Sequence, residues 1–194
     1  MTFKPIHFAV AALLALALSS AGATSLAIGA AGLPLAIDDL STTRSSIGIA
    51  SHGTVRDIDA LINITHSWDA DLVLALSHGG ITVLLSNRNG GSGGADYAGT
   101  LFDDGAPVAI DAGYAYAPYS GAFRPQEALA AFNGQDIFGD WTLSVSDMEA
   151  GDSGVLNGWR LLAEVQAAEV PEPASLALFG LGLAGLYGMR RRRG

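Results

Sequence analysis

The sequence of 194 residues contains no cysteine and, after Lys4, no lysine. The lack of cysteine excludes disulfide bonds, thiol catalysis and thiolate metal sites. Between Asp38 and Glu172 lie all 19 acidic residues but only five arginines, an excess of 14 negative charges. An acidic surface repels phosphate backbones, so nucleic acid is not an expected partner. Such a surface suits divalent cations or basic partners.

The N-terminal residues have the pattern of a secretory signal peptide. Lys4 provides a positive start, Phe8 to Leu18 are mostly apolar, and Ala21-Gly22-Ala23 has the small residues of a cleavage site. We therefore predict a signal peptide over residues 1–23, cleaved between Ala23 and Thr24. The alternative is an uncleaved anchor, but its apolar core is short for a membrane span. Export of the chain is expected.

The C-terminal residues combine three parts: Pro171-Glu172-Pro173, the uncharged segment Ala174 to Met189, and Arg190 to Arg193. A helix over the apolar segment would cover about 24 Å, short of the roughly 30 Å hydrocarbon core, and the arginines would stay cytoplasmic. The arrangement resembles the PEP-CTERM sorting signal. That resemblance implies a sorting transpeptidase of the exosortase type as partner and transient anchoring in the inner membrane. The alternative is an ordinary C-terminal anchor.

Between these ends, apolar residues alternate with polar ones in short runs. Alternation through Ile58, Ala60, Ile62 and Ile64 predicts one buried strand face, and Trp141 and Trp159 are predicted core residues of two later strands. Two apolar runs around Ser77-His78-Gly79-Gly80 predict a hairpin with His78 exposed in its turn. Residues 125–132 predict one short helix. The pattern as a whole predicts an all-β fold, an antiparallel, jelly-roll-like β-sandwich.

Several sequence blocks in this region resemble the P domain (P/Homo B domain), the β-sandwich that follows the catalytic domain in kexin-like and furin-like subtilases. The blocks are Asn63-Ile64-Thr65-His66, Asp71-Leu72-Val73-Leu74, Phe102-Asp103-Asp104, Gly139-Asp140-Trp141-Thr142 and Gly151-Asp152-Ser153-Gly154. One departure from the family pattern is the turn at residues 77–81. The implied organisation is a signal peptide at 1–23, a short lead at 24–36, the sandwich at 37–165, a linker at 166–170 and the sorting signal at 171–194.

No catalytic pattern accompanies this resemblance. His52, His66 and His78 are the histidines of the predicted mature chain, and none adjoins a Gly-x-Ser-x-Gly elbow. We expect His66 to be a hydrogen-bonding residue at the edge of the core. Since the resemblance is to the non-catalytic part of a protease, the chain is not expected to be an enzyme.

Calcium is the one metal that the sequence favours. Six aspartates, Asp69, Asp71, Asp103, Asp104, Asp136 and Asp140, lie in predicted loops or at strand ends, and Ca²⁺ takes six to eight oxygen ligands. There is no EF-hand pattern. Asp71, Asp103 and Asp104 are the favoured ligands because they belong to the blocks that resemble the family. The alternative is a solvated acidic face without a bound ion.

Three functions are compatible with these features. The first is an exported module of the cell envelope or extracellular space with a structural or binding role. The second is an accessory to a separate serine endopeptidase, and the third is a carbohydrate-binding module that recognises extracellular polysaccharide. For the third, Tyr114, Tyr116 and Tyr119 could offer stacking faces, although they could equally pack within a strand and its loop.

Overall fold

The computed structural model describes residues 22–90, 95–112 and 116–167. Most of the predicted signal peptide, Tyr114 and the predicted sorting residues Pro171, Glu172 and Pro173 lie outside the described residues. In the part of the chain that is described, no helix has the length and apolar character needed to cross a membrane.

In these described residues, ten strands form two sheets. They are β1 (Ala23–Gly29), β2 (Leu35–Ile37), β3 (Thr42–Ile49), β4 (Gly53–His66), β5 (Leu72–His78), β6 (Ile81–Asn87), β7 (Tyr97–Phe102), β8 (Tyr119–Phe123), β9 (Gly139–Asp147) and β10 (Gly154–Ala167). The larger sheet has the order β1-β10-β4-β7-β8, with β2 also paired to β10, and the smaller has the order β3-β9-β5-β6. All pairs are antiparallel except β7 with β8. The predicted all-β class is confirmed.

The core forms where strands of the two sheets turn alternate side chains inward. Along β4, Ile58, Ala60, Ile62 and Ile64 are at most 2% exposed, while Asp57, directly before them, is exposed. Burial of such an aliphatic side chain contributes about 1.5–3 kcal/mol, so the alternation itself holds the register. Trp141 on β9 and Trp159 on β10 fill the space between the sheets.

The hairpin between β5 and β6 turns at Gly79 and Gly80, whose φ angles are +57° and +83°. Positive φ at both central residues is what a type I′ turn of a two-residue hairpin requires, and glycine adopts it without steric cost. The turn is therefore shorter than the sequence suggested, and His78 is the last residue of β5 rather than part of the turn.

Three other local predictions differ from the structure. Residues 24–36, predicted as a lead, supply most of β1 and part of β2, so they belong to the larger sheet. The short helix predicted at 125–132 is a single 3₁₀ turn, Leu129–Phe132. Gln166 and Ala167, predicted as linker, extend β10.

Candidate functional site

His66 and Asp147 form a buried pair where β4 and β9 end. The imidazole Nε2 lies 3.1 Å from Asp147 Oδ2, and both side chains are fully buried. On the other side of the ring, Nδ1 lies 2.9 Å from the carbonyl oxygen of Trp68 and 3.1 Å from its backbone nitrogen. A catalytic histidine of a serine triad needs one nitrogen for the nucleophile. His66 has both nitrogens engaged, so its position is structural.

His78 was predicted to be exposed, and this prediction is wrong. Its side chain is buried, and its ring stacks on Trp141 with centroids 4.0 Å apart and planes inclined by 3°. Nε2 lies 2.8 Å from the carbonyl oxygen of Asp136 and Nδ1 lies 3.1 Å from that of Asp140. The physical reason is strand phase, because His78 continues the inward face formed by alternate leucines of β5.

His52 and Asp136 form an exposed pair at the start of β4. Nδ1 of His52 lies 2.6 Å from Asp136 Oδ2, and the ring stacks on Phe138 at 4.4 Å. The hydrogen bond to His52 and the backbone N–H groups of Gly53 and Phe138 lower the pKa of Asp136 to about 2. Among the described residues, no serine or threonine hydroxyl is hydrogen-bonded to this histidine or to the two buried ones.

The three predicted calcium ligands do not come together. Asp71 lies in the turn before β5, beside the buried pair, and burial followed by the charge of Asp147 raises its pKa. Asp103 and Asp104 follow β7, whose Phe102 pairs with Ala60, six residues before His66 on β4. Six residues of strand span about 20 Å. No group of three or more acidic or histidine side chains in the described chain is arranged to hold a metal ion.

Asp103 and Asp104 have local structural roles instead. Asp104 accepts hydrogen bonds from the backbone N–H groups of Leu129 and Ala130, at 2.9 and 2.8 Å, and so caps the 3₁₀ turn. Asp103 accepts one from Gly105 N at 2.6 Å. Both carboxylates therefore use oxygens that calcium would need.

An acidic face that the sequence interpretation missed lies on the outer side of the larger sheet. It consists of Asp57, Asp59, Asp103, Asp104 and Glu164. Asp57 stands directly opposite Glu164 across the β4–β10 pair, where like charges repel. Partial burial first, and then mainly the charge of Asp103, raises the pKa of Asp59 to about 6. A hollow of about 300 Å³ opens here against β1. In the sequence, this face was indicated by Asp57 and Asp59, which alternate with the buried residues of β4.

Replacement of Asp59 by asparagine is expected to stabilise the domain at pH 8 and to change little at pH 4. The folded-state pKa lies above the ordinary value of 3.8. The contribution of this carboxyl to stability is therefore fully present below about pH 4 and lost as the pH rises through about 6. Discounted for solvent exposure, the gain from asparagine at pH 8 is about 1 kcal/mol. Urea unfolding of both proteins at the two pH values measures it.

The matched control is Asp38→Asn, which removes an exposed carboxylate outside this face. It should leave stability almost unchanged at both pH values. An Asp59→Asn gain of equal size at pH 4 and pH 8 would contradict the prediction, because it would show that charge at residue 59 is not the cause.

The predicted signal cleavage site and the predicted sorting motif each lie close in sequence to the paired ends of β1 and β10. Ala23 pairs with Gln166 and Thr24 with Val165. The predicted signal cleavage site is thus at the outer end of an edge strand, a few residues in register from the segment that leads to Pro171. Both chain ends leave the sandwich at the same end of the larger sheet.

Comparison with known proteins finds two family models. The model described as the proprotein convertase P-domain matches residues 55–163, more than half of the chain. The model described as the PEP-CTERM protein-sorting motif matches residues 169–193.

Among curated proteins, the chain is 27% identical over 122 residues to a calcium-dependent protease of Nostoc sp. and, at the same identity and length, to one of Trichormus variabilis. Each alignment covers 61% of this chain, which spans only 15% of the length of either relative. Among solved structures, the serine protease of Aeromonas sobria in complex with its chaperone aligns with a TM-score of 0.50 and 19% identity. That alignment covers 76% of this chain and 28% of the other, and at this identity it shows the fold alone.

The matched ranges agree with the sheets and with the C-terminal sequence pattern. The P-domain match begins within β4 and ends within β10, so it includes the strands that carry Trp141, Trp159 and the buried His66–Asp147 pair. The chain belongs to the proprotein convertase P-domain family and carries a PEP-CTERM motif, which indicates export and sorting to the cell surface.

Proposed function

We propose that this protein is a surface-sorted, non-catalytic β-sandwich module with a structural or binding role. The main observation behind the proposal is that both ring nitrogens of each buried imidazole already contact other protein atoms. His66 and His78 each have both ring nitrogens in contact with protein atoms, and exposed His52 pairs with Asp136 without a described hydroxyl beside it. The family itself is a non-catalytic companion of subtilisin-like proteases, which agrees with this reading.

The sorting step proposed for the module uses the C-terminal residues. A transpeptidase of the exosortase type reads Pro171-Glu172-Pro173, and the apolar segment anchors the precursor in the inner membrane until the arginine tail is removed. The support is the PEP-CTERM match at 169–193 and the end of β10 at Ala167, which leaves the motif just beyond the sandwich.

An accessory role towards a separate serine endopeptidase is the second candidate. It is favoured by the relatives, which are named proteases and which this chain matches over only 15% of their length. Sugar binding has less support. Tyr119 is fully buried in the core, and Tyr116 is 46% exposed with its ring edge-on to Phe123, so the two do not form one stacking platform.

Hydrolysis of fluorescent casein tests the non-catalytic proposal. Purified chain and its His52→Ala variant are expected to show the same rate as buffer, because no nucleophile is paired with an imidazole in the described residues. A rate that persists through purification and is lost in His52→Ala would overturn the proposal. His52 is the suitable position because its side chain is 62% exposed, so the substitution should not disturb the core.

A second measurement distinguishes the role as an accessory to a protease from an independent structural or binding role. A subtilase from the same cell envelope is heated with and without the chain, and its inactivation half-life is followed. A longer half-life with the chain would favour the accessory role over an independent structural or binding role. The Trp159→Ala variant serves as a control, since loss of its core packing should remove any specific effect.

A further inference from the structure

β1 is an edge strand of the larger sheet, and its outer side has no strand partner among the described residues. On its inner side, Ala23–Gly29 pairs with β10 without a register shift. The strand includes no charged residue and no proline, and no described loop is hydrogen-bonded to its backbone. Proteins block open strand edges with charges, prolines, bulges or covering segments, because unpaired N–H and C=O groups attract another strand. β1 has none of these protections in the described chain.

The three other edge strands each have one. β3 includes the charged Arg44. The backbone of β6 is met by the loop after β8, where the N–H of Glu127 donates to the carbonyl oxygen of Leu84 at 2.9 Å. β8 is interrupted by Gly121, whose φ is +96°. Of the four edges, β1 is therefore the one to which a further strand adds most readily.

The hydrogen bonds to β10 show which backbone groups of β1 face outward. The N–H of Ala30, directly after the strand, donates to the carbonyl oxygen of Trp159 on β10 at 3.0 Å. Alternate residues of an antiparallel strand turn their N–H and C=O groups to the same neighbour. Leu26 and Ile28 share the phase of Ala30 and therefore bond to β10. The residues between them, including Ser25 and Ala27, turn their backbone groups to the open edge.

The inward face of β1 is incompletely covered by the smaller sheet. Leu26 and Ile28 pack against the core but remain partly exposed. The larger sheet has six strands and the smaller has four, so the margin at β1 extends beyond the opposing sheet. A strand added next to β1 would remove more of this aliphatic surface from water. The edge thus offers both unpaired backbone groups and apolar side chains to a partner.

We propose that this edge joins two copies of the chain, with the β1 strands antiparallel about a two-fold axis at Leu26. In this register Ser25 of each copy exchanges both backbone hydrogen bonds with Ala27 of the other, because these residues face outward. Leu26 meets the same residue of the second copy at a non-hydrogen-bonded position, where side chains approach most closely, and Thr24 lies opposite Ile28. The apolar side chains then share the inward face of one continuous sheet. This self-association goes beyond the role proposed above and does not depend on it.

The charges around the edge favour a second copy over a charged partner. β1 itself is uncharged, and its outward donors and acceptors are all matched by those of an identical strand. The nearest charge of the acidic face is Glu164, opposite Ser25 on β10. In the pair of copies the two Glu164 residues are three strand spacings apart, about 14 Å, which exceeds the Debye length of about 8 Å at physiological salt. Because a single strand pair is a small interface, we expect a reversible dimer that salt strengthens.

Disulfide trapping tests the contact and its register. The chain contains no cysteine, so a single introduced thiol forms a disulfide only with a second molecule. In the proposed dimer, Leu26→Cys brings two Cα atoms to about 4.5 Å, within the range of disulfides. The mature protein from the native envelope should therefore form a covalent dimer under mild oxidation. The control is Leu40→Cys, 67% exposed in the loop between β2 and β3, which should form little.

Two further variants determine the register. Thr24→Cys and Ile28→Cys should form a disulfide with each other when mixed, because these residues lie opposite one another across the two copies. Each alone should be trapped poorly, since four residues of strand, about 13 Å, separate it from its own equivalent.

Sedimentation velocity over a concentration series gives a readout that needs no cysteine. The wild type should dimerise reversibly, and more strongly at 150 mM than at about 20 mM sodium chloride. Ala27→Pro should weaken the dimer at least about tenfold, because it removes an outward N–H donor from each copy. Its melting temperature at low concentration should change little, because this N–H does not bond to β10. The matched control is Ala27→Val, which keeps the N–H and should dimerise like the wild type.

Three outcomes would refute the dimer. The first is a wild-type protein that stays monomeric at every concentration and salt; slow alkylation of Leu26→Cys would then show that another part of the same chain covers the edge. The second is a dimer that Ala27→Pro and Ala27→Val affect equally, which would place the contact on another surface. The third is a Leu26→Cys variant that is trapped no more than Leu40→Cys, or is trapped only with a different envelope protein.

Discussion

Replacement of Trp141 by alanine is expected to lower the free energy of unfolding by about 3–5 kcal/mol, a large share of the 5–15 kcal/mol typical of a domain. Trp141 is fully buried, and its ring stacks on His78 and meets Phe132 edge-on at 5.0 Å. Its indole N–H donates to the carbonyl oxygen of Ile137 at 3.0 Å. Alanine would remove all of these contacts and leave a cavity between the sheets.

Trp141→Phe separates the ring from the hydrogen bond. Phenylalanine keeps an aromatic face against His78 but lacks the indole N–H, so the carbonyl of Ile137 loses its partner at a cost of about 1–3 kcal/mol. The alanine variant should therefore be the less stable of the two. Urea denaturation followed by fluorescence and circular dichroism measures both.

Trp159→Ala extends the same test to the other sheet. Its indole N–H donates to Ser45 Oγ at 2.9 Å, which joins β10 of the larger sheet to β3 of the smaller one. A loss of about 3–5 kcal/mol is expected again. A loss below about 1 kcal/mol in either alanine variant would contradict the inward orientation of these strands.

The strands that could be predicted from sequence are those with one clearly apolar face. β4 and β10 alternate over many residues, and β5 and β9 do so over a shorter length, so a period of two was visible without any knowledge of partners. Burial of one face determines the direction of every second side chain, and for that reason the positions of Trp141 and Trp159 followed from the pattern alone.

The strands that the sequence did not reveal have weak alternation. β1 consists of small and polar residues with only Leu26 and Ile28 partly buried. β8 is five residues long with Gly121 near its centre. Such segments become strands because a neighbour offers backbone hydrogen bonds, and pairing between β1 and β10 joins residues more than a hundred positions apart. Tertiary contact, and not local propensity, decides them.

The burial of a site residue could be predicted from sequence only where the alternation of side chains along its own strand determines it. His78 was misplaced because the adjacent glycines suggested an exposed turn, although its phase with Leu74 and Leu76 indicated burial. Whether the predicted aspartates come together depends on how distant strands pair. The pairing of β7 with β4 places Asp103 about six residues of β4 away from the end of that strand, where Asp71 lies.

The pairing of β1 with β10 links the two ends of the predicted mature protein. Ala23 opposes Gln166, so the new N-terminus at Thr24 and the segment leading to the sorting motif would lie side by side. Signal cleavage at Ala23 requires an extended, accessible chain, whereas β1 in the sheet is hydrogen-bonded to β10. We therefore expect cleavage to precede the docking of β1, and the sorting signal to be presented after the sandwich has closed.

Replacement of Pro171 by alanine is expected to leave most of the protein in the membrane fraction as a precursor that retains Arg190 to Arg193. Proline fixes φ near −65°, lacks a backbone N–H and disfavours helix in the residue before it. We therefore expect both prolines of the motif to disfavour a helix at residues 171–173. Alanine at 171 would permit a helix to extend towards the sandwich and hide the bond that a transpeptidase must reach.

Intact-mass measurement of the wild type and the variant from the native envelope checks this expectation. The wild-type protein should begin at Thr24 and lack the four arginines, while Pro171→Ala should keep them. The control is Pro107→Ala, an exposed proline in the loop after β7, which should be processed as the wild type is. Wild-type protein that still carries its arginine tail would contradict transpeptidase sorting and would identify the C-terminal segment as a permanent anchor.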